Sequence, residues 1–304
     1  MRALRPALYA IALCFKPMKH LSEFTPADLA ELARADVARA LTEDVGNGDL
    51  TAALVDRSRL ARARILAREP AVICGAPWVQ AAVLACDPKA SLTWLVSEGQ
   101  RCAADQVVLE IEGNAQALLT AERTALNFLQ LLSAVATKTA VFVDAVAGTR
   151  VKIVDTRKTI PGLRLAQKYA VTTGGGVNHR IGLFDAVLIK ENHIAAAGGV
   201  GAVLQRVAQS APQARFVEIE VETLKQLDEA LASGATMVLL DNMDIPTLQE
   251  AVRRNAGRAV LEISGGVNLD TVRALAETGV DRISIGALTK DVKAIDFSLR
   301  FDAF

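Results

Sequence analysis

A chain of 304 residues, 51% hydrophobic and 22% charged, is too long for one ordinary core and too apolar for disorder, so two globular domains are expected. Its 34 basic and 34 acidic residues cancel to a formal net charge of +0, and only 4% are aromatic. That excludes a basic nucleic-acid surface, an anionic-membrane surface and a base-stacking platform, so any anion site must come from locally clustered charge.

Arg2 and Arg5 precede an apolar run at 7–15 that imitates a secretory signal. Lys16, Pro17, Met18 and Lys19 stand where a small-residue cleavage site would be, and the run is too short to span a membrane. We read it as an N-terminal extension, or as lying upstream of a true start at Met18. Cys14, Cys74, Cys86 and Cys102 form no C-x-x-C pair and show no zinc spacing with a histidine, which points to a reduced, cytoplasmic setting. Residues 21–41 have a helical pattern, with Thr25 as N-cap and Pro26 at the first helical position. Residues 43–51 follow as a Gly- and Asp-rich loop. Short apolar runs at 63–66, 71–74, 92–96 and 107–111 predict a small mixed sheet, with one helix at 78–85. Residues 115–136 form a long helical pattern. Leu118, Leu126, Leu129 and Leu132 lie on its apolar face, and Arg123, Asn127 and Gln130 on one polar stripe.

The second half alternates near-continuous apolar runs at 151–154, 186–189, 216–221, 237–240, 259–263 and 282–285 with amphipathic stretches at 201–209, 224–232, 245–255 and 269–278. Such alternation predicts a parallel sheet buried on both faces. The last four strands recur at the beat of a β/α barrel. Six strands rather than eight imply an irregular or incomplete barrel, and the gap between 156 and 185 leaves room for another.

The chemistry lies at the strand ends. The runs lead into Asp155-Thr156-Arg157-Lys158, Lys190-Glu191-Asn192-His193, Glu218, Glu220 and Glu222, Asp241-Asn242, Glu262 with Ser264-Gly265-Gly266, and Ser284 with Gly286. Parallel barrel strands aim their C-terminal ends at one mouth, so these residues should converge. Arg157, Lys158, His179, Arg180 and Lys190 form a cationic set that calls for a polyanionic ligand. Glu220 and Asp241 suit sugar hydroxyls or a substrate-borne magnesium ion. Ser264-Gly265-Gly266 and Gly286, placed before helices, suit a terminal phosphate.

Taken singly, each feature has a plain structural reading. Gly265-Gly266 is a turn, Arg157-Lys158 a solvated loop, and Arg123 solvated helix surface. Glu218, Glu220 and Glu222 alternate onto one strand face. Gly174-Gly175-Gly176 reads as a flexible loop carrying Asn178, His179 and Arg180, without the setting of a dinucleotide fingerprint. His179 and His193 lack a third metal ligand in the sequence. It is their convergence on one mouth that favours function.

The chain resembles the quinolinate phosphoribosyltransferase (carboxylating nicotinate-nucleotide diphosphorylase) family from about residue 41 to the C-terminus. The resemblance rests on Glu43-Asp44 with Gly48-Asp49-Leu50-Thr51, Glu122-Arg123-Thr124-Ala125-Leu126-Asn127, and Asp155-Thr156-Arg157-Lys158-Thr159 with Pro161-Gly162. It continues through Gly174-Gly175-Gly176 with Asn178-His179-Arg180, Ile189-Lys190-Glu191-Asn192-His193, Leu240-Asp241-Asn242 and Ser264-Gly265-Gly266. Ile160 departs from an expected threonine between motif residues. The resemblance implies an α/β fold, an N-terminal open sandwich (1–133, joined by 290–304) on an irregular parallel β/α barrel (134–289). In it, a final strand at 294–301 returns to the first domain. It implies quinolinate held by Arg123, Arg157, His179, Arg180 and Lys190. It also implies phosphoribosyl pyrophosphate held by Thr156, Lys158, Glu220, Asp241, Ser264, Gly265, Gly266 and Gly286. By the same resemblance Lys158, Lys190, Glu220 and Asp241 are expected to carry catalysis, with Mg2+ brought by the substrate near Glu220 and Asp241 rather than caged by protein alone. A homodimer is implied, with Arg123 reaching the partner's mouth; no nucleic acid or membrane takes part. The competing readings are a ModD-like or nicotinate-type paralogue with a different acceptor, and a non-catalytic phosphate-ligand binding protein.

Overall fold

The computed structural model describes residues 21–302; the readings made for residues 1–20, including the apolar run, Cys14 and the start at Met18, lie outside these residues. Helix α1 (Pro26–Val45) begins where the sequence places it. Thr25 Oγ1 accepts the N–H of Asp28, and the Asp28 carboxylate accepts the N–H of Thr25, so two end groups are satisfied reciprocally. The antiparallel sheet orders β12-β1-β5-β3, from β1 (Leu60–Ala67), β3 (Ser91–Trp94), β5 (Val107–Asn114) and β12 (Phe297–Phe301). A separate antiparallel pair joins β2 (Ala71–Val72) and β4 (Arg101–Cys102). The mixed sheet expected here is therefore corrected: every pairing in this half is antiparallel. Alternation of apolar residues fixes which face of a strand is buried, but not the direction of its neighbour. The returning strand is β12, with Ala63 opposite Phe301. Helix α2 (Ala76–Cys86) packs on α1 and buries Trp78, whose Nε1–H donates to Asp36 of α1 at 3.0 Å.

Helix α3 (Ala115–Ala145) runs nine residues beyond the 115–136 pattern. Among the described residues it is the one helix long and apolar enough to cross a membrane by length and composition, yet most of its apolar window is buried inside the fold. Its Gln130 carbonyl accepts the N–H of Ile295, tying the helix to the segment that leads into β12.

The parallel sheet orders β6-β11-β10-β9-β8-β7, from β6 (Lys152–Val154), β7 (Val187–Ile189), β8 (Val217–Val221), β9 (Met237–Asp241), β10 (Val260–Ser264) and β11 (Arg282–Ser284). Helices α6 (Val200–Ser210), α7 (Leu224–Ala232), α8 (Ile245–Asn255) and α9 (Leu269–Ala276) follow the expected alternation; the short α5 (Glu191–Ala197) and α10 (Ala287–Lys290) complete the half. The six-stranded expectation holds. The gap between 156 and 185 contains helix α4 (Arg164–Thr173) and only a single bridge residue, Val177 beside Val154. The glycines there are not a flexible loop: a Cβ on Gly174 would lie 2.3 Å from the Ala136 carbonyl oxygen, so the turn needs glycine to pack on α3. Ile219, Val221, Val238, Leu240, Leu261 and Ile263 are all buried. The alternate residues Glu220, Leu239, Glu262, Ser264 and Ser284 line one cavity with Leu188 and Thr156. Every strand or its end thus contributes to a common interior, as in a barrel left open between β6 and β7.

Candidate active site

Two adjoining cavities occupy the C-terminal mouth of the parallel strands. One, of about 230 Å³, is lined by Arg157, His179, Arg180, Lys190, Glu220 and Glu262, among others. The second, of about 430 Å³, adds Asp241, Asn242, Gly265, Gly266, Gly286 and Lys290. Thr156, Lys158, Lys190, Glu220, Ser264 and Ser284 border both. Two larger grooves, beside α1, are lined mainly by apolar side chains and do not contain this charge.

Among the described residues neither arginine of the smaller cavity forms an ion pair, although Glu218 and Asp185 act on Arg180 from farther off. Among the described residues Arg157 makes no ion pair, and its Nε is buried without a hydrogen bond. Burial holds its guanidinium below the usual range, and the nearby Arg164 adds to this. Arg180 is lowered by burial first and then by Arg157; its Nη1 donates only to the Ala186 carbonyl, at 3.2 Å. Two half-buried cations on one wall, each pulled down by burial and by a neighbouring arginine, are a standing demand for an anion.

Asp155, fully buried, holds this wall in place. Its carboxylate accepts from Lys168 Nζ, from Asn178 Nδ2 at 2.6 Å and from the His179 N–H at 2.9 Å. Burial raises the Asp155 carboxyl and lowers the Lys168 ammonium, and each draws the other back toward its charged form. Asp155 is named from the sequence as part of the first strand-end motif without being given a role, and Lys168 is not named. Lys168 could have been found only as a lysine on the apolar stripe of α4.

In the larger cavity Lys190 Nζ approaches Glu220 at 3.0 Å, and Asn242 Nδ2 donates to Asp241 at 3.0 Å. Lys158 lies over Gly286: a Cβ there would stand 3.0 Å from Lys158 Cδ. Gly265 has φ +102, and a Cβ on it would meet Asn242 Oδ1 at 2.3 Å. Among the described residues the N–H groups of Gly265, Gly266 and Gly286 donate to no backbone carbonyl, leaving them for a ligand. The N-terminus of α9 is not part of this cradle, because the Asn268 side chain already accepts from Asp270 and Thr271. Lys290, missed in the sequence, borders the same cavity.

Several expectations change. Glu222 lies beyond β8 and is exposed, so it does not share the inward face of Glu218 and Glu220. His193 Nδ1 accepts the Lys190 N–H at 3.0 Å, a structural contact at the start of α5. His179 does have companions: with Glu218 and Glu262 it offers ligand atoms all within 4.8 Å of one another. Arg282, whose Nε lies 2.9 Å from Glu262 though misaligned for a hydrogen bond, already supplies a cation there, so charge balance does not call for a metal. Arg123 is exposed on α3 and lines neither cavity of its own chain. The other predicted residues of the barrel half converge on the mouth.

An opening that sets an unpaired arginine wall beside a glycine cradle suits transfer of a phosphorylated sugar to an acidic acceptor, which is the work of a barrel-type phosphoribosyltransferase. Models of the quinolinate phosphoribosyl transferase N-terminal and C-terminal domains match residues 49–133 and 135–300. The chain belongs to the quinolinate phosphoribosyltransferase family. It is 44% identical over 279 residues to the nicotinate-nucleotide pyrophosphorylase [carboxylating] of Mycobacterium leprae, covering 88% of this chain and 97% of that protein. The solved nicotinate-nucleotide pyrophosphorylase from Francisella tularensis superposes with a TM-score of 0.85 at 42% identity, over 90% of this chain and 97% of that one. Human nicotinic acid phosphoribosyltransferase, at 16% identity and a TM-score of 0.59, shares the fold alone.

Proposed function

We infer that this chain joins quinolinate to phosphoribosyl pyrophosphate, releasing carbon dioxide and pyrophosphate and forming nicotinate mononucleotide for NAD biosynthesis. The observation that carries this reading is the unpaired Arg157–Arg180 wall opening beside the Gly265–Gly266 cradle. In this reading Arg157 and Arg180, with Lys190, replace the hydration of the two ring carboxylates and aim the ring nitrogen at ribose C1. Gly265, Gly266, Gly286 and Ser264 hold the 5-phosphate, and Thr156 borders it. Lys158 and Lys190 neutralise the departing pyrophosphate, while Glu220 and Asp241 accept from the ribose hydroxyls and balance positive charge developing at C1. Once the nitrogen is quaternary, the C2–carboxylate bond breaks, its electron pair stays on C2, and a proton from solvent completes the product. The neutral walls of Leu188 and Leu239 help keep water from that carboxylate.

Among the described residues the Glu220 carboxylate pairs with Lys190 alone and that of Asp241 with Asn242 alone, and the two fit a magnesium ion that enters with the pyrophosphate. Bound there, it would neutralise the leaving group. Excess chelator should abolish turnover and added magnesium restore it; undiminished activity in chelator would count against this part.

We assign Arg123 to the mouth of a second copy in a cytoplasmic homodimer. Its exposure on α3 supports this, as do the exposed Leu50 and Leu54 on the loop tied to that helix by the 2.9 Å Thr120–Asp49 hydrogen bond. The decisive assay supplies phosphoribosyl pyrophosphate, magnesium and either quinolinate or nicotinate, and measures carbon dioxide and nucleotide. Nucleotide from nicotinate but none from quinolinate would overturn the assignment.

A further inference from the structure

Both ring nitrogens of His179 are already engaged inside the barrel. Nδ1 accepts the N–H of Arg180 at 2.7 Å, and Nε2 stands 2.7 Å from Glu218 Oε2. A nitrogen that accepts an N–H carries no proton of its own, so the neutral ring holds its proton on Nε2 and donates it to Glu218. Burial favours that neutral ring by pulling the imidazole below its ordinary value. Glu262 lies 3.6 Å from the same Nε2, and Arg282 Nε 2.9 Å from Glu262. Glu218 and Glu262 are both 0% exposed and His179 6%, so the cluster is enclosed within the barrel.

This leaves His179 without a free nitrogen for a substrate carboxylate, although its ring borders the small cavity. What the ring holds instead is the backbone of Arg180, the residue whose guanidinium faces that cavity. From the other side Lys168 Nζ donates to the His179 carbonyl at 3.0 Å, fixing the same short segment. Two buried acids beneath an anion pocket would oppose the ligand if they faced it. Glu218 is outside the cavity lining and lies against the imidazole, while Glu262, which borders the cavity, is faced by Arg282; both make sense as a support.

Resting on the function proposed above, we propose that Glu218 and Glu262 are positioning residues. Anchored by Arg282, they fix His179 as the Nε2–H tautomer, so that the ring braces Arg180 against a substrate carboxylate rather than binding the substrate itself. This is the arrangement by which carboxylates orient histidines in other sites, where loss of the orienting group commonly costs about 10- to 100-fold.

The chain has only three histidines, so nitrogen-15 NMR of the whole protein can resolve the ring nitrogens of His179, assigned by its absence in His179→Asn. The expected result for the ligand-free wild type is a single Nε2–H tautomer that persists on addition of quinolinate. Glu218→Leu should lose that single-tautomer signature and raise KM for quinolinate about tenfold, with KM for phosphoribosyl pyrophosphate nearly unchanged. Glu218→Gln, whose amide oxygen can still accept from Nε2, should restore both. An imidazolium or an Nδ1–H ring in the ligand-free wild type would overturn the proposal. So would a quinolinate-induced transfer of the Nε2 bond from Glu218 to the ligand. The ligand-free spectrum decides the point even if Glu218→Leu fails to fold. Absence of turnover on quinolinate with an Nε2–H ring intact would instead remove the function assigned to the mouth.

Discussion

Arg157 shows how a single side chain can be costly in the empty protein and productive in the loaded one. Its Nε is buried without an acceptor, and burial and Arg164 both weigh against its charge. A carboxylate arriving there relieves both penalties, so the binding energy of the ligand is concentrated at this residue. Arg157→Ala should therefore lower kcat/KM for quinolinate by an amount equivalent to ~2–5 kcal/mol, because the ligand's carboxylate would stay buried and unpaired. The circular dichroism spectrum and melting temperature should remain close to wild type, since no protein group loses a partner. Near-normal quinolinate kinetics would refute the pocket. Gly265 makes a different point about the same site. At φ +102 a side chain is strained by ~1–3 kcal/mol, and its Cβ would press on Asn242 Oδ1 at 2.3 Å. Displacing Asn242 releases its hold on Asp241. Gly265→Ala should thus raise KM for phosphoribosyl pyrophosphate more than KM for quinolinate, and an equal effect on both would argue that the cradle lies elsewhere.

At the scale of elements, β8 and β10 carry acids into the barrel interior, and pH should report them. Burial, the first cause in both cases, pushes the Glu218 and Glu262 carboxyls from 4.5 up to about 7. A carboxyl with a folded pKa above its unfolded one binds its proton more tightly in the native state. Its contribution is complete below about pH 4.5 and is lost as the pH rises through about 7. Because the two acids share one cluster, we count them as a single proton, with a loss of ~1–3 kcal/mol. Urea unfolding at pH 5 and pH 8 should show that decline in wild type and a smaller one in Glu262→Gln; an unchanged difference would remove the acids from the account. The strands themselves were readable from their apolar runs, and the inward face of β8 from the alternation of Glu218 with Glu220. What alternation does not encode is depth. It puts Glu218 and Glu220 on the same side, but only the curl of the sheet makes one a buried support and the other a mouth residue. The segment between 156 and 185 was obscure for a related reason. Its helix α4 carries Lys168 on a buried face, where a charged residue breaks the apolar period, and the compensating Asp155 lies thirteen positions away on another element.

For the whole molecule the question is whether one chain completes its own site. Its mouth contains Arg157, Arg180, Lys158 and Lys190, but Arg123 stands exposed on α3 outside both cavities. If Arg123 serves a second copy, two inactive variants should repair one another. In a hybrid of Arg123→Ala with Arg157→Ala, one mouth combines an intact Arg157 with the partner's intact arginine, while the other mouth lacks both. Random reassociation of equal amounts makes about half of the dimers hybrids, each with one working mouth, so activity should return to about a quarter of wild type. If Arg123 acted within its own chain, every mouth in the hybrid would lack one arginine and the mixture would stay as inactive as its parents. The result does not depend on how much either variant loses on its own, provided both are nearly inactive. It therefore separates a shared site from a self-contained one even if Arg123→Ala also weakens the dimer, because reassociation can be driven by concentration and followed by sedimentation.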